Sequence, residues 1–129
     1  MKRTHDRERG AAAVEFAMLI PALLIILLGA IHFGRAFSLR HVLGDATGFA
    51  ARQAAIANDP TRADGVVRAR MNGVNYCRQL SVTATAGGSA PYRYLDVRST
   101  CQLPIPLGSA LLGNLGMTAI TVVATMPID

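Results

Sequence analysis

The stretch RERGAAAVEFAMLIPALLIILLGAIHFGR, Arg7 to Arg35, combines an apolar run with residue types that such a run normally excludes. Glu15 stands five residues after Gly10 and is the only charge between Ala11 and Phe33, and Pro21 interrupts the same run. A carboxylate in hydrocarbon is costly and usually functional, and a proline removes one backbone hydrogen bond from a helix. The chemistry this spacing allows, were the chain cut after Gly10, is charge pairing. A cut after Gly10 makes Ala11 the new N-terminus, and its ammonium then lies four residues from the Glu15 carboxylate. Opposite charges on neighbouring chains relieve each other's desolvation in a low dielectric, which couples cleavage to assembly. A simpler account of Glu15 also stands: in the first turns of the helix, water, headgroups and the positive end of the helix dipole all accommodate a carboxylate. Pro21 leaves the carbonyl of Ala17 without its helical partner and so kinks or loosens the helix, with or without a role.

The element that positions these residues is a membrane span. A helix needs about 20 apolar residues to cross a bilayer core, and residues 11–33 supply that length. Lys2, Arg3, Arg7 and Arg9 precede the span and Arg35 and Arg40 follow it. The basic excess on the short side places the N-terminus in the cytoplasm and the rest of the chain outside. A cleaved secretory signal would have a shorter apolar core and an Ala-x-Ala-like site; here the small-residue candidate ending at Ala36 has Arg35 directly before it. A retained helix fits better. Cys77 and Cys101 are the only cysteines, both beyond the span, and such a pair reads as one disulfide in an oxidising compartment. Two unrelated buried thiols are the alternative.

A charged leader ending in Gly10, then Ala11 opening the apolar run, Glu15 with Phe16 after it, Pro21, and the polar stop Gly34–Arg35 resemble the N-terminal region of TadE-like minor pilins and pseudopilins of tight-adherence (Flp-type) pili. The resemblance continues through GDATGFAARQAAIAND, Gly44 to Asp59. It implies a class III signal cut after Gly10, between Gly10 and Ala11, by a prepilin peptidase on the cytoplasmic side. Glu15 and Phe16 then fill the family's glutamate–aromatic pair, used in recognition and assembly. The implied partners are the membrane, that peptidase, other minor pilins, the major Flp-type pilin and an inner-membrane assembly platform. Whether the chain enters the filament or stays as a scaffold is left open.

Beyond Arg35 the helix is expected to continue amphipathically, because Leu39, Val42, Leu43, Ala46, Phe49, Ala50, Ala54 and Ala57 recur at three- and four-residue spacing. Arg40, His41, Asp45, Gly48 and Arg52 fall mainly elsewhere, and NDP at 58–60 ends the element. Thr61 and Asp64 have capping-box spacing and predict a short helix to about Met71. QLSVTATA, with Leu80, Val82, Ala84 and Ala86 alternating, predicts a strand, and GGSAP at 87–91 its turn. YRYLDVRSTCQLPI predicts a second strand with Leu95, Val97, Cys101 and Leu103 on one face, Tyr92 and Tyr94 on the other, and a bulge near its start. A five-residue turn sets Ala86 against Tyr92 and Cys77 against Cys101, whereas the apolar pattern prefers Val82 against Val97. PIPLGSALLGNLG reads as a loop, and MTAITVVATMP as a third strand with Ile120, Val122, Ala124 and Met126 on one side.

The expected fold is therefore α+β and pilin-like: a long N-terminal transmembrane helix continuing into an amphipathic helix, then a small antiparallel sheet. The divisions are a leader at 1–10, a span at 11–33, a helix continuation at 34–59 and an extracytoplasmic domain at 60–129. Thirteen basic against eight acidic residues give a charge of +5, but they are scattered without aromatic platforms, which argues against nucleic acid. His41 is the only histidine beyond the span, no Gly-x-Ser-x-Gly surrounds a serine, and no cysteine–histidine spacing suits a metal. Neither an enzyme nor a cofactor is expected. Arg62, Arg68 and Arg70 read as a solvated helix face, and Tyr92 and Tyr94 as sheet packing. The competing function is an uncleaved, signal-anchored binding module outside the membrane.

Overall fold

The computed structural model describes residues 3–105 and 117–128, and its chain divides into two units, Met1–Phe33 and Gly34–Asp129. Helix α1 runs Arg3–Ala57 and contributes to both. A short helix α2 (Arg62–Arg70) and three strands, β1 (Leu80–Ser89), β2 (Tyr92–Pro104) and β3 (Met117–Ile128), complete the second unit. The strands form one antiparallel sheet in the order β1-β2-β3. A long apolar helix followed by a small antiparallel sheet is the α+β arrangement read from the sequence. The loop expected between the second and third strands lies, from 106 to 116, outside the described residues.

In the second unit α1 turns a stripe of Leu39, Leu43, Ala46, Thr47, Ala50, Ala51 and Ala54 inward, each 1% exposed or less. These alanines and leucines belong to one buried cluster with the inward side chains of the sheet. Thr47 is admitted because its Oγ1 donates to the Leu43 carbonyl one turn back, at 2.6 Å. Two members of the expected stripe are corrected: Phe49 is 37% exposed and Ala57 is exposed, while Val42 is half-buried. Against the stripe lie Leu95, Val97, Ser99, Cys101 and Leu103, the inward parity of β2, and Ala63, Val67 and Met71 of the α2 segment. Each large apolar side chain so buried contributes about 1.5–3 kcal/mol.

The link between the helices is built by Asn58–Asp59–Pro60. Asn58 has φ +48°, its N–H donates to the Ala55 carbonyl, and that of Asp59 donates to Ala54. These are the two bonds of a Schellman cap, with asparagine in the left-handed position and proline soon after to prevent continuation. The expected capping box is not formed. Thr61 is itself helical and makes no side-chain cap; its N–H and Oγ1 both donate to Asp59 Oδ1, at 3.0 and 2.6 Å. Those two bonds, the side-chain one foremost, hold the Asp59 carboxyl below its ordinary pKa. Asp64 instead pairs with Arg68 one turn on, at 2.9 Å.

The hairpin turn is tighter than its glycines suggest. Gly87 and Gly88 belong to β1, and only Ala90 and Pro91, joined by a cis peptide, connect Ser89 to Tyr92. Gly88 has φ +82°, and a Cβ there would strike the Tyr92 carbonyl; at Gly87 one would lie 2.7 Å from the Tyr94 ring, which occupies that space. The ladder is continuous, so the expected bulge is absent, and it sets Leu80 against Cys101, Val82 against Ser99 and Ala84 against Val97. Neither register read from the sequence holds, and Ala86 is exposed. The expected face of β2 does hold, as does the inward side of β3, where Ile120, Val122, Ala124 and Met126 pack on the core.

Ser99 occupies the middle of that core, fully buried, with no partner for its Oγ among the described residues. A buried hydroxyl without a hydrogen bond costs about 1–3 kcal/mol. Ser99→Ala is therefore expected to raise the thermal midpoint of the sheet-bearing unit. A fall, read by circular dichroism melting, would show that the hydroxyl has a partner in solution.

Candidate processing and assembly segment

Residues 11–33 are exposed throughout except for the half-buried Leu28 and His32. Val14, Phe16, Met18, Leu23, Ile25, Ile26 and Phe33 are each more than half exposed, and the apolar side chains face outward all round the helix. Such a surface is stable only when lipid or other protein covers it. Helix α1 is long and apolar enough to cross a membrane, and none of its apolar window is buried within the chain. This one helix supports single-pass anchoring.

Gly10 and Ala11 both lie in α1 and both are exposed. Glycine has a helix propensity about 1 kcal/mol below alanine, so the boundary between charged leader and apolar run coincides with a weak helical position. Glu15 and Phe16 are exposed as well, Phe16 at 61%. Ala11 and Glu15 share one face at four-residue spacing, and no other charged residue lies on the apolar stretch. Pro21 stands within α1 without ending it. The structure thus sets Gly10, Ala11, Glu15, Phe16 and Pro21 along about three turns of a single exposed helix.

The cysteines lie elsewhere. Cys77 and Cys101 form the expected disulfide, with Cα atoms 5.8 Å apart, and it ties the irregular segment before β1 to the buried side of β2. Their positions are not opposite in the ladder: Arg78 N–H donates to the Gln102 carbonyl and Gln102 N–H to Gln79, so Cys77 reaches Cys101 from just beyond the strand end.

Sequence reasoning missed the outer side of α1. The guanidinium of Arg70 stacks 3.7 Å from the centroid of the Phe49 ring, and Phe37 meets His41 edge to face at 4.5 Å. The spacing of Phe37 and His41 could have signalled their contact; that of Phe49 and Arg70 is tertiary and had no sequence signal. Of the arginines read as a solvated face, Arg68 pairs with Asp64, Arg62 lies 3.9 Å from Asp59, and Arg70 is the stacked one. Among the described residues, no three of His, Cys, Asp and Glu are grouped to hold a metal.

The sequence model of the TadE-like protein family matches residues 10–52, starting at the glycine that closes the charged leader. This bears out the resemblance over those residues and suggests a protein associated with the tight-adherence pilus. Neither curated proteins nor solved structures give a match.

Proposed function

From a chain that is TadE-like over residues 10–52, we propose a structural minor pilin or pseudopilin of a tight-adherence pilus, made as a precursor and cut after Gly10. The observation that carries this is the exposed apolar surface of residues 11–33 with Glu15 as its single charge, placed directly after Gly10. In this reading a prepilin peptidase removes residues 1–10 on the cytoplasmic side. The Ala11 ammonium of one subunit and the Glu15 carboxylate of its neighbour then pair within the membrane, and Phe16 packs beside them. Pro21 loosens the helix one turn further on. The span holds the chain in the inner membrane with the 34–129 part outside, where other minor pilins, the major Flp-type pilin and the assembly platform meet it. The role is structural, with no catalytic step of its own.

N-terminal sequencing and intact mass of the protein from cells carrying the secretion apparatus test the cut. The mature chain is expected to begin at Ala11, and Gly10→Val to retain the leader. A wild-type chain that still begins near Met1 leaves only the uncleaved anchor with a binding domain. Glu15→Ala is expected to insert and be cut largely as the wild type and to fail in assembly; failure to insert would make Glu15 a topology residue.

A further inference from the structure

Two adjoining hollows mark the solvent side of α1 in the 34–128 unit. The larger, of ≈ 520 Å³, lies between Arg40 and His41 of α1 and Thr121–Val123 of β3; the smaller, of ≈ 280 Å³, lies between Arg52 and the Phe49–Arg70 stack. Gly44, Asp45 and their neighbours on α1 join the two, and both hollows are lined by Gly44 and Asp45. A Cβ added at Gly44 or Gly48 meets nothing within 4 Å. No internal packing therefore accounts for two glycines in the helix interior, where each costs about 0.5–1 kcal/mol relative to alanine.

The charge around the hollows is one-sided. Arg40, His41, Arg52 and Arg70 face a single carboxylate, Asp45, and Arg40 and Arg52 have no ion-pair partner among the described residues. Among the described residues from Gly34 on, no acidic surface complements this charge. From Gly34 on, the described acidic residues are Asp45, Asp59, Asp64 and Asp96, and the last three are engaged by Thr61, Arg68 and Thr125. A second copy docked through the same face would bring arginines to arginines. A floor of glycines one turn apart suits the ridge of a helix, since residues four apart define the groove into which ridges pack.

We infer that these hollows form one docking groove for an acidic helical segment of a different protein, with carboxylates meeting Arg40 and Arg52 and the partner backbone approaching over Gly44 and Gly48. This goes beyond the proposed function and does not depend on cleavage after Gly10, because the groove belongs to residues present in precursor and mature chain alike.

The test uses the full chain in nanodiscs of phosphatidylcholine, titrated with a labelled helical Ala/Glu/Leu peptide and with the same peptide carrying lysine for glutamate. The acidic peptide is expected to bind and the lysine peptide not to. Arg40→Glu with Arg52→Glu should weaken binding by about tenfold or more, a change of about 1.4 kcal/mol. Arg40→Gln with Arg52→Gln serves the same purpose should charge reversal disturb folding. Gly44→Ala with Gly48→Ala should also weaken it while the melting curve is kept, because a Cβ at either position meets nothing within 4 Å. Equal binding of the two peptides, or no response to either arginine pair, overturns the inference. So does an effect of the arginines confined to phosphatidylglycerol discs, which would make the surface a lipid contact, or loss of self-association on Arg52→Glu, which would make it a contact between copies.

Discussion

Leu43→Ala is expected to destabilise the sheet-bearing unit by about 2–5 kcal/mol, the range for large-to-small substitution in a packed core. Leu43 is 0% exposed and sits in the stripe that α1 turns toward β2, flanked by Leu39, Ala46 and Ala50. Those neighbours include too many alanines to close the space by moving side chains, so most of the cavity should persist. Its carbonyl accepts the Thr47 hydroxyl, which holds the helix in register and further limits collapse. For a unit of this size a loss of 3 kcal/mol lowers the midpoint by roughly 12–24 °C. The measurement can be confined to this unit, because the chain has no tryptophan and its three tyrosines, Tyr76, Tyr92 and Tyr94, all lie in it. The tyrosine band of the near-ultraviolet circular dichroism, at longer wavelength than the phenylalanine bands of Phe16 and Phe33, therefore reports this unit apart from the apolar helix. A loss below 1 kcal/mol would mean that α1 does not pack on the sheet through this face.

The parts of this structure legible in the sequence are those governed by periodicity. The helical stripe from Leu39 to Ala54 and the inward parity of Leu95, Val97, Cys101 and Leu103 are direct consequences of 3.6- and two-residue repeats, while the apolar run of residues 11–33 is read from its length and its single charge. Thr47 and Ala51 escaped because a polar residue and one extra alanine do not disturb such a count, although the Thr47 hydroxyl satisfies itself within the helix. Register was lost at one place. Gly87 and Gly88 read as a turn, but the Tyr94 ring covers Gly87 and the strand continues to Ser89, which shifts every pair along β1 and β2. The capping box failed for a similar reason: Asp59, fixed by the Schellman cap and Pro60, offers Thr61 a nearer acceptor than α2 does. Of the candidate segment, the order of Gly10, Glu15 and Phe16 was legible because it is linear. The groove beside Gly44 and Gly48 was not, since its walls come from β3 and Arg70, distant in sequence.

Removal of the disulfide by Cys77→Ala with Cys101→Ala is expected to cost the same unit about 3 kcal/mol. The bond closes a loop of 24 residues, and the chain-entropy model assigns loops of this order about 3–3.5 kcal/mol through restriction of the unfolded chain. The folded side of the argument points the same way. Residues 71–79 have no helix or strand and are held by the bonds Val74 to Met71, Cys77 to Val74, and the pair linking Arg78 and Gln79 with Gln102. Without the cross-link, the segment leading into β1, an edge strand, is tied to the centre of the sheet by the two bonds at Gln102, with Arg68 donating to the Leu80 carbonyl at 3.5 Å. Fraying should therefore begin at Leu80 and leave the β2–β3 ladder protected longest in amide hydrogen exchange. A reductant should reproduce the loss in the wild type and have no effect on the double variant. If reduction leaves the tyrosine signal and its midpoint unchanged, the sheet is stable without the bond, and the cysteine pair loses its value as a sign that this unit folds in an oxidising compartment.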